Sequence, residues 1–187
     1  MEARIIAAAL VPFLLAAGAW ATPKKIPWDP NCAPVHRAFR ATFATERLSA
    51  ITYEVKPDGS LKAFGEARFT DAAVFERSLG SPSNRWIVSR RGAWSPWEEF
   101  GPRYSGCKLV AGNDPASRSG SRYTADWHGF PYEADVEIWL SEGDETVAKL
   151  VRRYPNSNWQ FPFPNALIVY DLDPASAAEP PGMALPE

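Results

Sequence analysis

Apolar residues fall into three rhythms along this chain, and each predicts a different element. Residues 5–17 are apolar without a break. From Val35 to Phe43 the apolar side chains Val35, Ala38, Phe39 and Phe43, with Thr42, recur every three or four residues. That spacing gathers them on one face of a helix, predicted over Ala33–Arg47. Pro34 suits its first turn, and Asn31 is placed to cap it. From Ser49 onward the period is mostly two, the mark of half-buried strands. Ile51, Tyr53 and Val55 alternate with Thr52 and Glu54, then Pro57-Asp58-Gly59-Ser60 predicts a turn. Strands are expected over Leu61–Thr70, Ala73–Leu79, Trp86–Arg91 and Arg122–Trp127. The clearest runs Tyr132–Leu140, with Tyr132, Ala134, Val136, Ile138 and Leu140 on one face and Glu133, Asp135, Glu137 and Trp139 on the other. Glu142-Gly143-Asp144 turns the chain into Thr146–Tyr154, and Ala166–Leu172 ends the series. One helix followed by seven or eight short strands in hairpin order predicts an α+β, mostly β, antiparallel domain.

The first rhythm predicts no part of that domain. Arg4, the run Ile5–Ala17 and the small-x-small Ala19-Trp20-Ala21 form the pattern of a secretory signal peptide, residues 1–21, cut after Ala21. About 13 residues is too short for the ~20 of a spanning helix. No Cys follows the run directly, so a cut chain is expected to leave the membrane without a lipid anchor; an uncut one would stay tethered. Residues 22–31, TPKKIPWDPN, read as an extended lead-in, 32–173 as a single domain, and 174–187 as a disordered Ala/Pro tail. The expected location is the periplasm or the medium.

Charge removes whole classes of partner. The chain carries 20 Lys and Arg against 22 Asp and Glu, a net charge of −2. This balance gives nucleic acid or an anionic membrane nothing to grip. The one dense basic pair, Arg90-Arg91, reads as a solvated strand end. Cys32 and Cys107 are the only cysteines. In an exported chain an even count favours a disulfide, with a reactive or metal-binding thiol and two free buried thiols as the alternatives.

Candidate chemistry is sparse. His36 is expected at an exposed helix position. His128 follows Asp126 by two residues in a Trp-His-Gly turn, but no nucleophile elbow accompanies it. Glu133, Asp135 and Glu137 are about 7 Å apart along a strand, within glycosidase range, yet the same alternation marks any half-exposed strand. No ligand set for zinc or calcium is present. No catalytic residue, metal or cofactor is therefore assigned. The aromatics stand out instead. Trp94, Trp97 and Phe100 lie in a Pro-containing loop, Trp139 interrupts an acidic strand face, and Trp159 and Phe161 alternate near the end. Such rings line apolar pockets or interaction surfaces, so these six are the candidate ligand-binding residues.

The segments Trp127-His128-Gly129-Phe130-Pro131, Ile138-Trp139-Leu140-Ser141 and Leu150-Val151-Arg152-Arg153, behind an N-terminal helix in an exported chain, resemble periplasmic proteins of the LolA/LolB-like lipoprotein-carrier fold. The resemblance covers Cys32–Tyr154. It implies a curled, half-barrel sheet with helical cover over an apolar mouth that holds acyl chains. The expected function is a non-enzymatic periplasmic carrier of a hydrophobic, lipid-like ligand, with lipid or a lipidated protein as partner. The alternatives are an envelope interaction module with an exposed aromatic patch, and a hydrolase using His128 or the acidic row.

Overall fold

In the computed structural model, which describes residues 25–110, 120–129, 132–155 and 162–183, the helical rhythm forms α1, Ala33–Ala44. A single 3-10 turn, Pro30–Cys32, leads into it. The cap of that turn is Asp29, whose carboxylate accepts from the Asn31 amide at 2.9 Å, so the capping side chain lies two residues before the one expected. The helix stops at Ala44 rather than Arg47, and Thr45 is already extended. Arg91 accounts for the stop. Its guanidinium donates to the carbonyls of Phe43 (2.5 Å), Thr45 (2.9 Å), Glu46 (2.9 Å) and Thr70 (2.7 Å), occupying oxygens that a further helical turn would use. Arg91 is thus a helix clamp and not a solvated strand end.

The alternating segments form eleven strands: β1 Leu48–Val55, β2 Leu61–Phe69, β3 Ala73–Ser78, β4 Trp86–Arg90, β5 Trp97–Glu98, β6 Gly101–Pro102, β7 Tyr104–Leu109, β8 Arg122–Gly129, β9 Tyr132–Leu140, β10 Val147–Arg153 and β11 Asn165–Asp171. Nine of them make one open, curled antiparallel sheet in the order β4-β3-β2-β1-β11-β10-β9-β8-β7, while β5 and β6 pair separately. The expected fold class holds, with one or two more strands in the sheet than the pattern predicted. The turn before β2 forms as read: Gly59 takes φ +81 and Asp58 accepts from the Ser60 amide at 2.9 Å.

Helix α1 lies across one face of the sheet, here the inner face. Phe39 stacks on Tyr104 (4.8 Å between centroids), and Phe43 meets Phe69 (5.4 Å) and Tyr170 (5.8 Å) edge-on. Thr42 accepts from the Val147 amide at 2.8 Å and joins helix to sheet by a buried hydrogen bond. The inner side chains Ala134, Val136, Ile138 and Leu140 of β9 are buried, as the alternation required, along with Leu150, Ala166 and Ile168 of the neighbouring strands. Cys32 and Cys107 form a disulfide, which fits an oxidising compartment and fastens the start of α1 to β7. Its sequence separation of 75 residues makes it a strong constraint on the unfolded chain, about 4 kcal/mol by chain entropy.

The tail begins differently from the expectation. Pro174–Ala177 forms a 3-10 turn capped by Asp173. Ala177 is fully buried, Ser176 accepts from the Ser49 hydroxyl at 2.9 Å, and Arg68 donates to the Ala178 carbonyl at 2.8 Å. The proposed signal peptide lies outside the described residues.

Candidate functional site

Arg152 is the residue that the register places most tellingly. Along β10, Lys149 and Arg153 point outward, while Leu150 pairs with Ile138 and Ile168 on the inner face. Two residues on, Arg152 must share the face of Leu150, because side chains alternate along a strand. It stands opposite Val136 on β9 and Ala166 on β11, in a register row that reads Lys62, Glu54, Ala166, Arg152, Val136, Ala125 across six strands. Alanine and valine leave room on both sides of the long side chain.

The guanidinium lies 4.0 Å from the centroid of the Trp127 indole, a cation–π contact that offsets part of its desolvation. Gly129 makes that platform possible: any Cβ there would collide with the Trp127 ring. The phenols of Tyr104, Tyr154 and Tyr170 surround the charge. Burial raises the pKa of Tyr104 and Tyr170, with the Arg152 charge opposing it, so both stay neutral hydroxyls. Among the described residues no carboxylate pairs with Arg152, and its Nε is buried without an acceptor. Arg152 and Tyr170 lie deep in the domain and yet keep accessible surface. Both residues therefore stay partly open to solvent.

A cavity of about 320 Å³ adjoins the same row at β1 and β2. Its lining includes Glu54, Lys62, Phe64, Pro162 and Phe163. Phe64 reaches it because it is the extra residue of a bulge, where Thr52 pairs with Gly65 and Tyr53 with Ala63. Its ring meets Phe163 edge-on at 4.9 Å.

The six aromatic candidates do not converge. Trp94 packs on Phe39 (5.8 Å) at the edge of the core. Trp97 is 47% exposed and pairs at 5.2 Å with Trp28, itself 42% exposed. Phe100 is half-buried, and its carbonyl accepts from the Ile26 amide at 2.9 Å. Trp139 is on the opposite, outer face, between Arg122 (5.2 Å) and Lys149 (4.9 Å), so it cannot line the same site as Trp94. Trp159 and Phe161 lie outside the described residues. What the sequence reading missed is Arg152. Its signal was present: Leu150 and Tyr154 on an apolar face force Arg152 between them onto that face.

Both histidines depart from expectation. His36 is 3% exposed, not solvated. Its ring sits against Trp28 (4.8 Å) and Tyr104 (5.9 Å), its Nε2 is 3.3 Å from the Tyr104 carbonyl, and its Nδ1 has no partner. Burial lowers its pKa, against the opposing effect of that carbonyl. His128 lies in strand β8 rather than in a turn. Its Nε2 is 2.8 Å from Ser105 Oγ, and its Nδ1 is 3.8 Å from Glu133 Oε1. The second distance is too long for the hydrogen bond that orients a catalytic imidazole. The Glu133 side chain is 75% exposed on the outer face. Asp126, the sequence partner of His128, lies opposite Ser105. Among the described residues no group of three His, Cys, Asp or Glu side chains is placed to hold a metal ion, and no helix is long and apolar enough to cross a membrane.

Comparison with known proteins finds no family model that matches the chain and no match among the curated proteins.

Proposed function

We propose that the chain is exported by a signal peptide, residues 1–21, and acts in the periplasm as a non-enzymatic binding or carrier protein for a hydrophobic, lipid-like ligand. The observation that carries this reading is the accessible surface kept by Arg152 and Tyr170 at the centre of the inner face. A protein that needed only a core would fill that space, since interiors pack as densely as organic crystals. Among the described residues one α-helix of 12 residues covers a sheet of nine strands, so much of the inner face has no helical roof there. The resemblance to the LolA/LolB-like carriers agrees with an acyl chain as occupant.

Native mass spectrometry of protein released by mild extraction tests the proposal. The expected result is a population heavier than the bare chain by the mass of a lipid, lost on organic extraction. A bare chain alone, together with no uptake of an added apolar dye, would sink it. A second reading rests on the exposed pair Trp28 and Trp97. Two adjacent exposed indoles suit an interaction surface for another envelope protein. Under that reading, Trp28→Ala with Trp97→Ala abolishes partner capture and leaves dye uptake unchanged.

A further inference from the structure

We infer that the inner face takes an amphiphile with a singly charged anionic head, a long-chain carboxylate, and that Arg152 is the residue that binds the head. This rests on the reading of the domain as a binding protein for a hydrophobic ligand and names the ligand's chemical class.

The argument starts from the cost of the charge. A guanidinium cannot shed its proton at physiological pH, so burial does not neutralise it. Left deep in a protein, it needs acceptors. Other described arginines of the sheet have them: Arg68 and Arg77 bind Glu66 at 2.7 and 2.6 Å, and Arg153 binds Glu137 at 2.5 Å. Arg152 has an indole face and phenol groups around it, and its Nε has no acceptor. The Tyr104 and Tyr154 hydroxyls hydrogen-bond the guanidinium, but neutral oxygens and a ring face bring no negative charge to balance it. The planar fork of donors matches a carboxylate in two parallel hydrogen bonds.

Charge balance selects the head group. Its register row reads Lys62, Glu54, Ala166, Arg152, Val136 and Ala125; Lys62 stands directly opposite Glu54, which leaves Arg152 as the cation with no carboxylate beside it in the row. One cation matches one negative charge, a carboxylate rather than a phosphomonoester dianion. Geometry places the tail. Glu54, on the rim of the 320 Å³ cavity, is two strands from Arg152 in that row, about 10 Å between backbones. An acyl chain with its head at Arg152 crosses over Ala166 and reaches Phe64 and Phe163.

Calorimetric titration of the purified chain with dodecanoate, dodecanol and dodecyl phosphate tests this. Wild type is expected to bind dodecanoate about tenfold or more tighter than dodecanol, the worth of a charge-assisted hydrogen bond. Arg152→Gln should remove that advantage and leave dodecanol within about twofold, as expected where only the head contact is lost. Arg152→Lys should restore part of it. If Arg152→Gln does not fold, Tyr154→Phe is read instead, with a smaller loss confined to dodecanoate. Equal binding of acid and alcohol by wild type, an equal loss of both in the variant, or a preference for dodecyl phosphate would each overturn the head-group inference. Failure of wild type to bind any of the three would overturn the binding reading itself.

Discussion

Arg152 and Arg153 are neighbours in sequence with the same side chain, and they have opposite surroundings. Arg153 lies on the outer face, half exposed, bound to Glu137 at 2.5 Å. Glu137 also binds Arg122, and Trp139 beside it is flanked by Arg122 and Lys149. The same pattern recurs in the other half of the sheet, where Glu66 bridges Arg68 and Arg77 and both guanidiniums lie over Trp86 (4.9 and 4.5 Å). On the outer face the four arginines Arg68, Arg77, Arg122 and Arg153 each have a carboxylate. On the inner face Arg152 stands over an indole with no such partner among the described residues. The outer arrangement stabilises a surface, and surface ion pairs are worth little individually. An inner charge without its counterpart costs stability, and its retention points to a task.

Six substitutions, grouped in four tests, sharpen or break that contrast. The largest effect belongs to the seal between α1 and the sheet. Phe39→Ala removes a ring that is 2% exposed and stacked on Tyr104, and should cost about 3–5 kcal/mol in urea unfolding. Trp139→Ala, on the outer face, should cost about 1 kcal/mol or less. Comparable losses would mean that the two faces are not different in kind.

Next comes the neighbouring pair. Arg152→Met replaces a buried unpaired cation with an apolar chain of similar length and should raise stability by about 1 kcal/mol or more. Arg153→Met breaks a half-exposed bridge and should lower it by less than about 1 kcal/mol. Destabilisation by both would show that Arg152 is partnered after all.

The faces should also fail at different pH. Burial holds the pKa of His36 below its ordinary 6.5. As pH falls through about 6.5, the unfolded chain takes up a proton that the folded chain refuses, so stability drops. His36→Gln should flatten that slope, which is on the order of 1 kcal/mol between neutral and mildly acid pH. Chemical denaturation at stepped pH reads it, and an unchanged slope removes His36 as its source.

The smallest effect lies outside. Burial pushes the pKa of Glu137 up, but the hydrogen bond and charge of Arg153, with help from Arg122, outweigh it and leave it below 4.5. Its contribution is complete above about pH 4.5 and is lost as pH falls through the lowered value. Glu137→Gln should cost less than about 1 kcal/mol at neutral pH and nothing in strong acid. A cost that persists in acid would assign it to packing.

Local rules explain how much of this was legible. The period-two alternation placed β9 to the residue, and the turn at Gly59 followed from its own chemistry. Cys32 and Cys107 were readable as a pair because the expected export and an even count point the same way. Long-range pairing was not. Strand β7, with its bulge between Ser105 and Lys108, has no clean alternation. The burial of His36 depends on Trp94 and Tyr104, which approach it from distant segments, together with Trp28. Arg91 shortened the helix through oxygens more than forty residues away in sequence. The aromatic candidates scattered because a strand residue's neighbours are set by register, and composition carries no register.

The pairing of β1 with β11 joins the two arms of the sheet. Its partners, such as Glu54 and Ala166, are separated by most of the domain, so this contact has a high closure cost and forms late. Until β11 arrives, β1 and β10 each present a bare edge with unpaired amides. A chain that emerges from its N-terminus delivers β11 last. Under the proposed export, folding of this domain would wait for the completion of transport, and the incomplete chain would be the form most exposed to aggregation and to proteases.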